Sequence, residues 1–208
     1  MIFPVFGNAV EYSTGVDKDY PRKLLWGDTH LHSNQSADAY TIGNSNLTPS
    51  DAFRFARGEE VISEKGVRAK LRVPLDFLMV SDHATFLGMF KRIENRDPEI
   101  LKTPLGKRWR KYMDENDPNL FTEFVDGLNG LLDDTFSKED YIPIWKEITE
   151  NVDSFNQPGI FTALIGYEWT PAPTGDNLHR VVVFKDDAKL AQKIIPFSAI
   201  DSRKPEDL

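Results

Sequence analysis

The stretch "VPLDFLMVSDHA", residues 73–84, constrains the fold more than any other part of this chain. Leu75, Phe77, Leu78, Met79 and Val80 run almost unbroken, which describes a strand covered on both faces. Parallel strands inside α/β proteins have that pattern, because helices pack on both sides of their sheet. Two further runs read as buried strands: "KLLWGD" (23–28), bounded by Pro21 and Gly27, and "GIFTALIGYEWT" (159–170). A β-branched strand follows in "LHRVVVFKDD" (178–187). Between the strands lie helical patterns. Thr48 caps a helix with Pro49 at its first position and Asp51 three residues after the cap; Ala52, Phe53, Phe55 and Ala56 form its apolar side and Gly58 its stop. The region 86–157 reads as mostly helical, with breaks at Pro98, Pro104, Pro118 and Pro143 and its aromatic residues in the core. Its best helix places Ile144, Ile148, Val152 and Phe155 on one side. Strands alternating with helices predict an α/β fold with a parallel sheet or barrel.

In such folds, sites lie at the carboxyl ends of the parallel strands. The chain has four histidines, and two of them, His30 and His32, close the first strand run. Alternate residues of a strand point the same way, so this pair supplies two imidazoles to one side. His83 follows Asp82 at the end of the apolar run, and Glu168 ends the third strand. A carboxylate behind so many apolar residues is costly unless it is paired or bound to metal.

His179 joins them by a topological argument. Ten residues separate Glu168 from His179, too few for a parallel crossover with its helix. The two strands are therefore expected to be antiparallel, which returns His179 to the edge where Glu168 lies. All four histidines then converge with Glu168 and Asp38. With no cysteine in the chain, a metal must be held by imidazole and carboxylate, a set that suits Zn, Fe or Mn.

The neighbours carry weaker signals. Asp28 and Asp82 either orient imidazoles as hydrogen-bond acceptors or serve as turn and cap residues. Arg180 is either a charged fork for a phosphate oxygen or a surface charge on a strand. Tyr40, Tyr167 and Asn177 are further candidates for the pocket, and Asp176 reads as a turn residue.

Composition bounds the partners. Net charge is −8, from 25 basic and 33 acidic residues, which disfavours general nucleic-acid binding but permits a small anionic substrate held by metal or a local arginine. No apolar run reaches the ~20 residues of a membrane span. "MIFPVFGNAV" lacks the basic and long apolar parts of a signal peptide. The default compartment is cytoplasmic, or periplasmic or secreted if a signal was removed. No Walker loop, G-x-S-x-G elbow or G-x-G-x-x-G fingerprint occurs.

"GDTHLHS", "DFLMVSDHA", "IGYEWT" and "NLHRVVVF", in that order, resemble the polymerase and histidinol phosphatase (PHP) superfamily, and "SADAY" and "PSDAFRFARGEE" resemble a PHP-related family of unknown function. The resemblance implies a distorted (β/α)7 barrel with two or three divalent metals, Zn, Mn or Fe, and hydrolysis of a small phosphorylated substrate. It implies that His30 and His32 take one metal with Glu168, that Glu168 bridges to a second held by His179, and that Asp38 and His83 hold a third. Glu168 and His83 are then the catalytic candidates. The usual first motif continues as Ser-Asp-Gly, whereas here Ser36-Ala37-Asp38 displaces the aspartate and lacks the glycine. No histidine follows His179, and "DSRKPEDL" reads as a helix start without a body. The chain thus reads as an extended lead-in over 1–22 and the N-terminal portion of a PHP-like barrel over 23–208. Two alternatives stand beside a phosphoesterase: an amidohydrolase-like site, which also uses H-x-H on a first strand, and a non-catalytic metal-binding or interaction fragment whose barrel another chain completes.

Overall fold

In the computed structural model the apolar run becomes the middle strand of a parallel three-stranded sheet. That strand, β4 (Phe77–Val80), lies between β1 (Gly27–Leu31) and β5 (Thr162–Leu164). The structure describes residues 23–171 and 178–208; the lead-in expected over 1–22 lies outside them. Register pairs Gly27 with Phe77 and Leu31 with Val80 on one side, and Phe77 with Thr162 and Met79 with Leu164 on the other. Gly27 is required where β1 meets β4, because a Cβ there would lie 2.3 Å from the Phe77 carbonyl oxygen. Three parallel strands in register place three carboxyl ends along one edge, and the loops leaving that edge carry the histidines.

Helices cover the sheet for reasons visible in their sequences. Thr48 and Asp51 form a reciprocal capping box at α2 (Pro49–Ala56), with the Asp51 amide donating to Thr48 Oγ1 at 3.2 Å and the Thr48 amide to Asp51 Oδ2 at 2.9 Å. Phe53 is fully buried and stacks on Phe155 at 5.2 Å. Phe155 ends α6 (Lys138–Phe155), whose Ile144, Ile148 and Val152 are buried as the spacing predicts. Pro143 lies inside α6 and not at a break. It falls in the second turn, where one backbone bond is lost. The Ser137–Asp140 capping box and the buried face of the helix offset that loss.

Most of the aromatic residues of 86–136 form core, and Phe121, 60% exposed, does not. Phe86 and the helices α3 (Met89–Glu94), α4 (Pro104–Glu115) and α5 (Asn119–Leu128) bring Phe86, Phe90, Trp109 and Phe124 together with ring centroids 4.9–6.1 Å apart. Each buried side chain of this size stabilises the fold by roughly 1.5–3 kcal/mol, and each ring pair adds about 0.5–1.5 kcal/mol. The Trp109 Nε1–H donates to Glu123 at 2.9 Å, so its one polar group is satisfied.

Two strand expectations change. "GIFTALIGYEWT" is not one strand: β5 stops at Leu164 and β6 (Gly166–Trp169) begins after Ile165. The break lets β5 pair with β4 while β6 pairs antiparallel with β7 (Arg180–Val183), in register Glu168 with Val181 and Trp169 with Arg180. The antiparallel return expected from the ten-residue spacing is therefore present. "KLLWGD" is not buried: Leu24, Leu25 and Trp26 are 77%, 58% and 69% exposed. β1 is an edge strand, with no strand paired to its outer side among the described residues.

Short elements complete the chain: α1 (Ala37–Ile42), a hairpin of β2 (Val61–Ile62) and β3 (Arg68–Ala69), and α7 (Ala188–Ala191). The helix start read in "DSRKPEDL" is a single 3-10 turn over Pro205–Asp207. The fold is mixed α/β, with small sheets of three, two and two strands, none closed into a barrel among the described residues. No helix among them is long and apolar enough to cross a membrane.

Candidate metal centre

Five segments converge at the carboxyl edge of the parallel sheet. β1 presents His30, and the residue just past its end is His32. Beyond β4 the chain runs Ser81-Asp82-His83, and a parallel bridge joins His83 to Glu168 on β6. The Glu168 amide donates to the Asp82 carbonyl at 3.1 Å and the Ala84 amide to the Glu168 carbonyl at 2.8 Å. That bridge carries Glu168 to the centre of the cluster although β6 belongs to a different sheet. His179 precedes β7, one residue beyond the Trp169–Arg180 pair, and α1 supplies Asp38.

Glu168 is the hub. Its carboxylate is fully buried, with Oε2 2.9 Å from His30 Nε2 and 2.7 Å from His32 Nε2, while Oε1 contacts His179 Nδ1. His32 reaches Asp38 through Nδ1 at 3.0 Å. His83 Nε2 lies 3.4 Å from Asp38 Oδ2. All six expected ligands therefore meet in one cluster. Two overlapping triads, His30/His32/Glu168 and His32/Asp38/His83, each bring their ligand atoms within 4.8 Å of one another.

The protonation pattern tests whether a cation fits. Burial opposes charge on His32, yet its hydrogen bonds to Asp38 and Glu168 outweigh it and raise the pKa to about 10. Burial likewise opposes ionisation of Glu168, but His32, His83, His179 and Thr170 hold its carboxyl well below the usual range. Asp38 is held low against its own desolvation by His32, His83 and Ser36. With both ring nitrogens on carboxylates, His32 is an imidazolium, a positive charge wedged between two negative ones. A divalent ion replaces that charge by displacing its proton, and imidazole with carboxylate is a donor set such ions accept. The residues present fit the metal.

A threonine and two serines, none of them anticipated from the sequence, organise the cluster. The Thr170 hydroxyl donates to Glu168 Oε1 at 2.9 Å and lies 2.8 Å from His83 Nδ1. With its single proton on the carboxylate, the Thr170 oxygen is placed to accept from His83 Nδ1 and so to orient that ring. Thr170 stands two residues from Glu168, the period that puts both on one side of an extended strand. Ser36 Oγ donates to Asp38 Oδ1 at 2.6 Å and accepts from the His83 amide at 3.1 Å. Ser33 donates to buried Asp82 through its amide at 2.5 Å and its hydroxyl at 2.7 Å.

The weaker candidates fall elsewhere. Asp82, its pKa pushed up to about 6 by burial against the Ser33 hydrogen bonds, fixes the first loop and touches no imidazole. Asp28 Oδ1 accepts from the His30 amide at 2.8 Å, so it too positions backbone. Arg180 is committed away from the cluster, donating to the Pro205 carbonyl at 2.9 Å and lying 5.7 Å over the Trp169 ring. Tyr40 packs on Phe90 at 5.5 Å, and burial together with Glu94 raises its hydroxyl to about 12. Tyr167 is core, packed on Trp145 and Phe184. Asn177 and Asp176 lie outside the described residues.

No curated protein and no solved structure matches the chain. The family described as "Protein of unknown function (DUF3604)" matches over residues 19–208, nearly the whole of the sequence. The chain therefore belongs to the DUF3604 family.

Proposed function

We propose that this chain is a metal-dependent hydrolase of PHP type that cleaves phosphoesters. The observation that carries the reading is the buried Glu168 carboxylate, reached by His30, His32 and His179, beside a second group of Asp38 and His83 that shares His32. The four ordered motifs that resemble PHP proteins support it, as does the position of the site at the carboxyl edge of a parallel sheet. The fold that goes with this reading is a distorted (β/α)7 barrel, with β1, β4 and β5 as neighbouring parallel strands of it.

Six ligands suit two or three ions of Zn, Mn or Fe, which when bound lower the pKa of a water and offset charge on a phosphoryl oxygen. Glu168 orients the three imidazoles on it and spans the groups of ligands. Thr170 orients the His83 ring through Nδ1, which turns Nε2 toward Asp38 and the second group of ligands. Asp82 and Ser33 hold the first loop so that His30 and His32 stay aligned.

The test is release of p-nitrophenol from p-nitrophenyl phosphate by protein loaded with Mn, Zn or Fe, beside Glu168→Gln. Turnover that requires metal and falls about 100-fold or more in the variant is expected, since weakening even a ligand's supporting contacts costs 10–100-fold. Retained metal without phosphoester turnover under any loading overturns the reading.

A further inference from the structure

Asp38, His83, Thr170 and His179 line one part of a cavity of about 220 Å³, and Ala37, Thr85, Phe124 and Leu128 line the rest. The cavity therefore begins at the metal-ligating residues and continues over apolar carbon. Phe124 and Leu128 are one turn apart on α5 and so share a face of that helix. Phe124 is held by ring contacts to Phe90 at 5.6 Å and Phe86 at 6.1 Å. Gly127 between them lets α5 sit flush on the core, because a Cβ there would lie 2.3 Å from the Phe86 ring. Phe124 is therefore held in place by the core, with Leu128 beside it on the same helix face.

Its chemistry excludes as well as admits. No lysine or arginine stands among the described lining residues, and Arg180 is engaged with Pro205 and Trp169. A second phosphate would find no cation there. The two threonine hydroxyls are partly committed: Thr85 Oγ1 accepts from the Ala199 amide at 3.3 Å, and Thr170 serves His83 and Glu168. The hydroxyls of a sugar would be buried with few partners, which is unfavourable. A volume of about 150 Å³ lined by apolar side chains accepts a benzene ring, and this cavity exceeds it.

We infer that this cavity is the specificity pocket of the proposed metal centre, and that it takes the apolar or aromatic alcohol portion of a phosphomonoester. Polyphosphates and sugar phosphates are disfavoured. The inference rests on the hydrolase reading and names its substrate class, with Phe124 and Leu128 as the determinants of specificity.

Two non-hydrolysable probes test it without relying on turnover. The full chain, loaded with Mn²⁺, is titrated calorimetrically with phenylphosphonate and with methylphosphonate. Phenylphosphonate is expected to bind at least about tenfold more tightly, because its ring leaves water for the apolar wall. Leu128→Asn reduces that preference to about threefold or less by weakening phenylphosphonate binding. Phe124→Leu, which keeps the core filled, reduces it partly. Equal affinities, binding of neither probe, or a preference that survives both substitutions overturns the pocket. A preference that behaves as expected in a protein that turns over no phosphoester upholds the pocket and overturns the reaction.

Discussion

Gly166 links the core of the molecule to its metal centre, and Gly166→Ala is the most informative single change. A Cβ at this position would lie 2.2 Å from Met79 Sδ and 2.5 Å from the Val182 carbonyl oxygen. Met79 is fully buried on β4, so its thioether has little room to retreat. Val182 belongs to the ladder that pairs β7 with β6, so its carbonyl moves only if the two strands separate. Overpacking of this kind costs about 1–3 kcal/mol, and two close neighbours, one of them backbone, place this case at the upper end. For a chain of this length each kcal/mol shifts Tm by about 2–4 °C, so a fall of about 5–10 °C is expected. The strain should also reach the site. Glu168 stands two residues further along β6 and is held by backbone bonds to Asp82 and Ala84, so the variant loses metal affinity as well. Thermal melts by circular dichroism in chelator, followed by metal titration, measure both effects. A Tm within about 1 °C of wild type and unchanged metal binding would refute the reasoning from close approach.

Three further changes probe separate links. Thr170→Val removes the hydroxyl between His83 and Glu168 at constant volume; metal affinity should fall about 10–100-fold, with Thr170→Ser restoring it, read by competition with a chromophoric chelator. His32 gives a pH dependence of known sign: its pKa of about 10 lies above the ~6.5 of an unfolded histidine. In metal-free protein that pairing stabilises fully below pH ~6.5 and is lost as pH rises through 10. Metal affinity runs the opposite way, and about one proton is released for His32 ligation near pH 7, measurable by calorimetry in two buffers of different ionisation enthalpy. Thr48→Ala opens the α2 capping box and should cost about 1 kcal/mol while leaving metal content unchanged, which separates stability from site chemistry.

Local signals proved readable where a single physical rule decides the outcome. The capping box of α2 and the buried face of α6 depend on neighbours within a few residues, and both formed as their sequences specify. The convergence of Glu168 with His179 followed from chain geometry alone, since ten residues cannot make a parallel crossover. Asp38 arrives because the chain turns between Ser33 and Ser36, the Ser36 amide donating to the Ser33 carbonyl at 3.1 Å, and returns its carboxylate to His32.

What the sequence did not disclose depends on distant partners. Leu24, Leu25 and Trp26 look like core, but among the described residues sheet order leaves β1 at an edge. Arg180 looks like a phosphate ligand, but its register opposite Trp169 turns it to that ring and to Pro205. Asp28 and Asp82 stand beside histidines and hold backbone amides instead of imidazoles. Thr170 was legible through its period-two relation to Glu168, a signal that becomes useful only once Glu168 is known to face the cluster.

The central claim is that the histidine–carboxylate cluster holds metal, and elemental analysis tests it directly. Purified wild-type chain and the His30→Ala/His32→Ala double variant, both confirmed folded by circular dichroism, are measured side by side after exposure to Zn, Mn or Fe and removal of free ion. At least one tightly held equivalent in wild type, with most of it lost in the variant, is the predicted result. Equal, near-zero metal in both proteins contradicts the account.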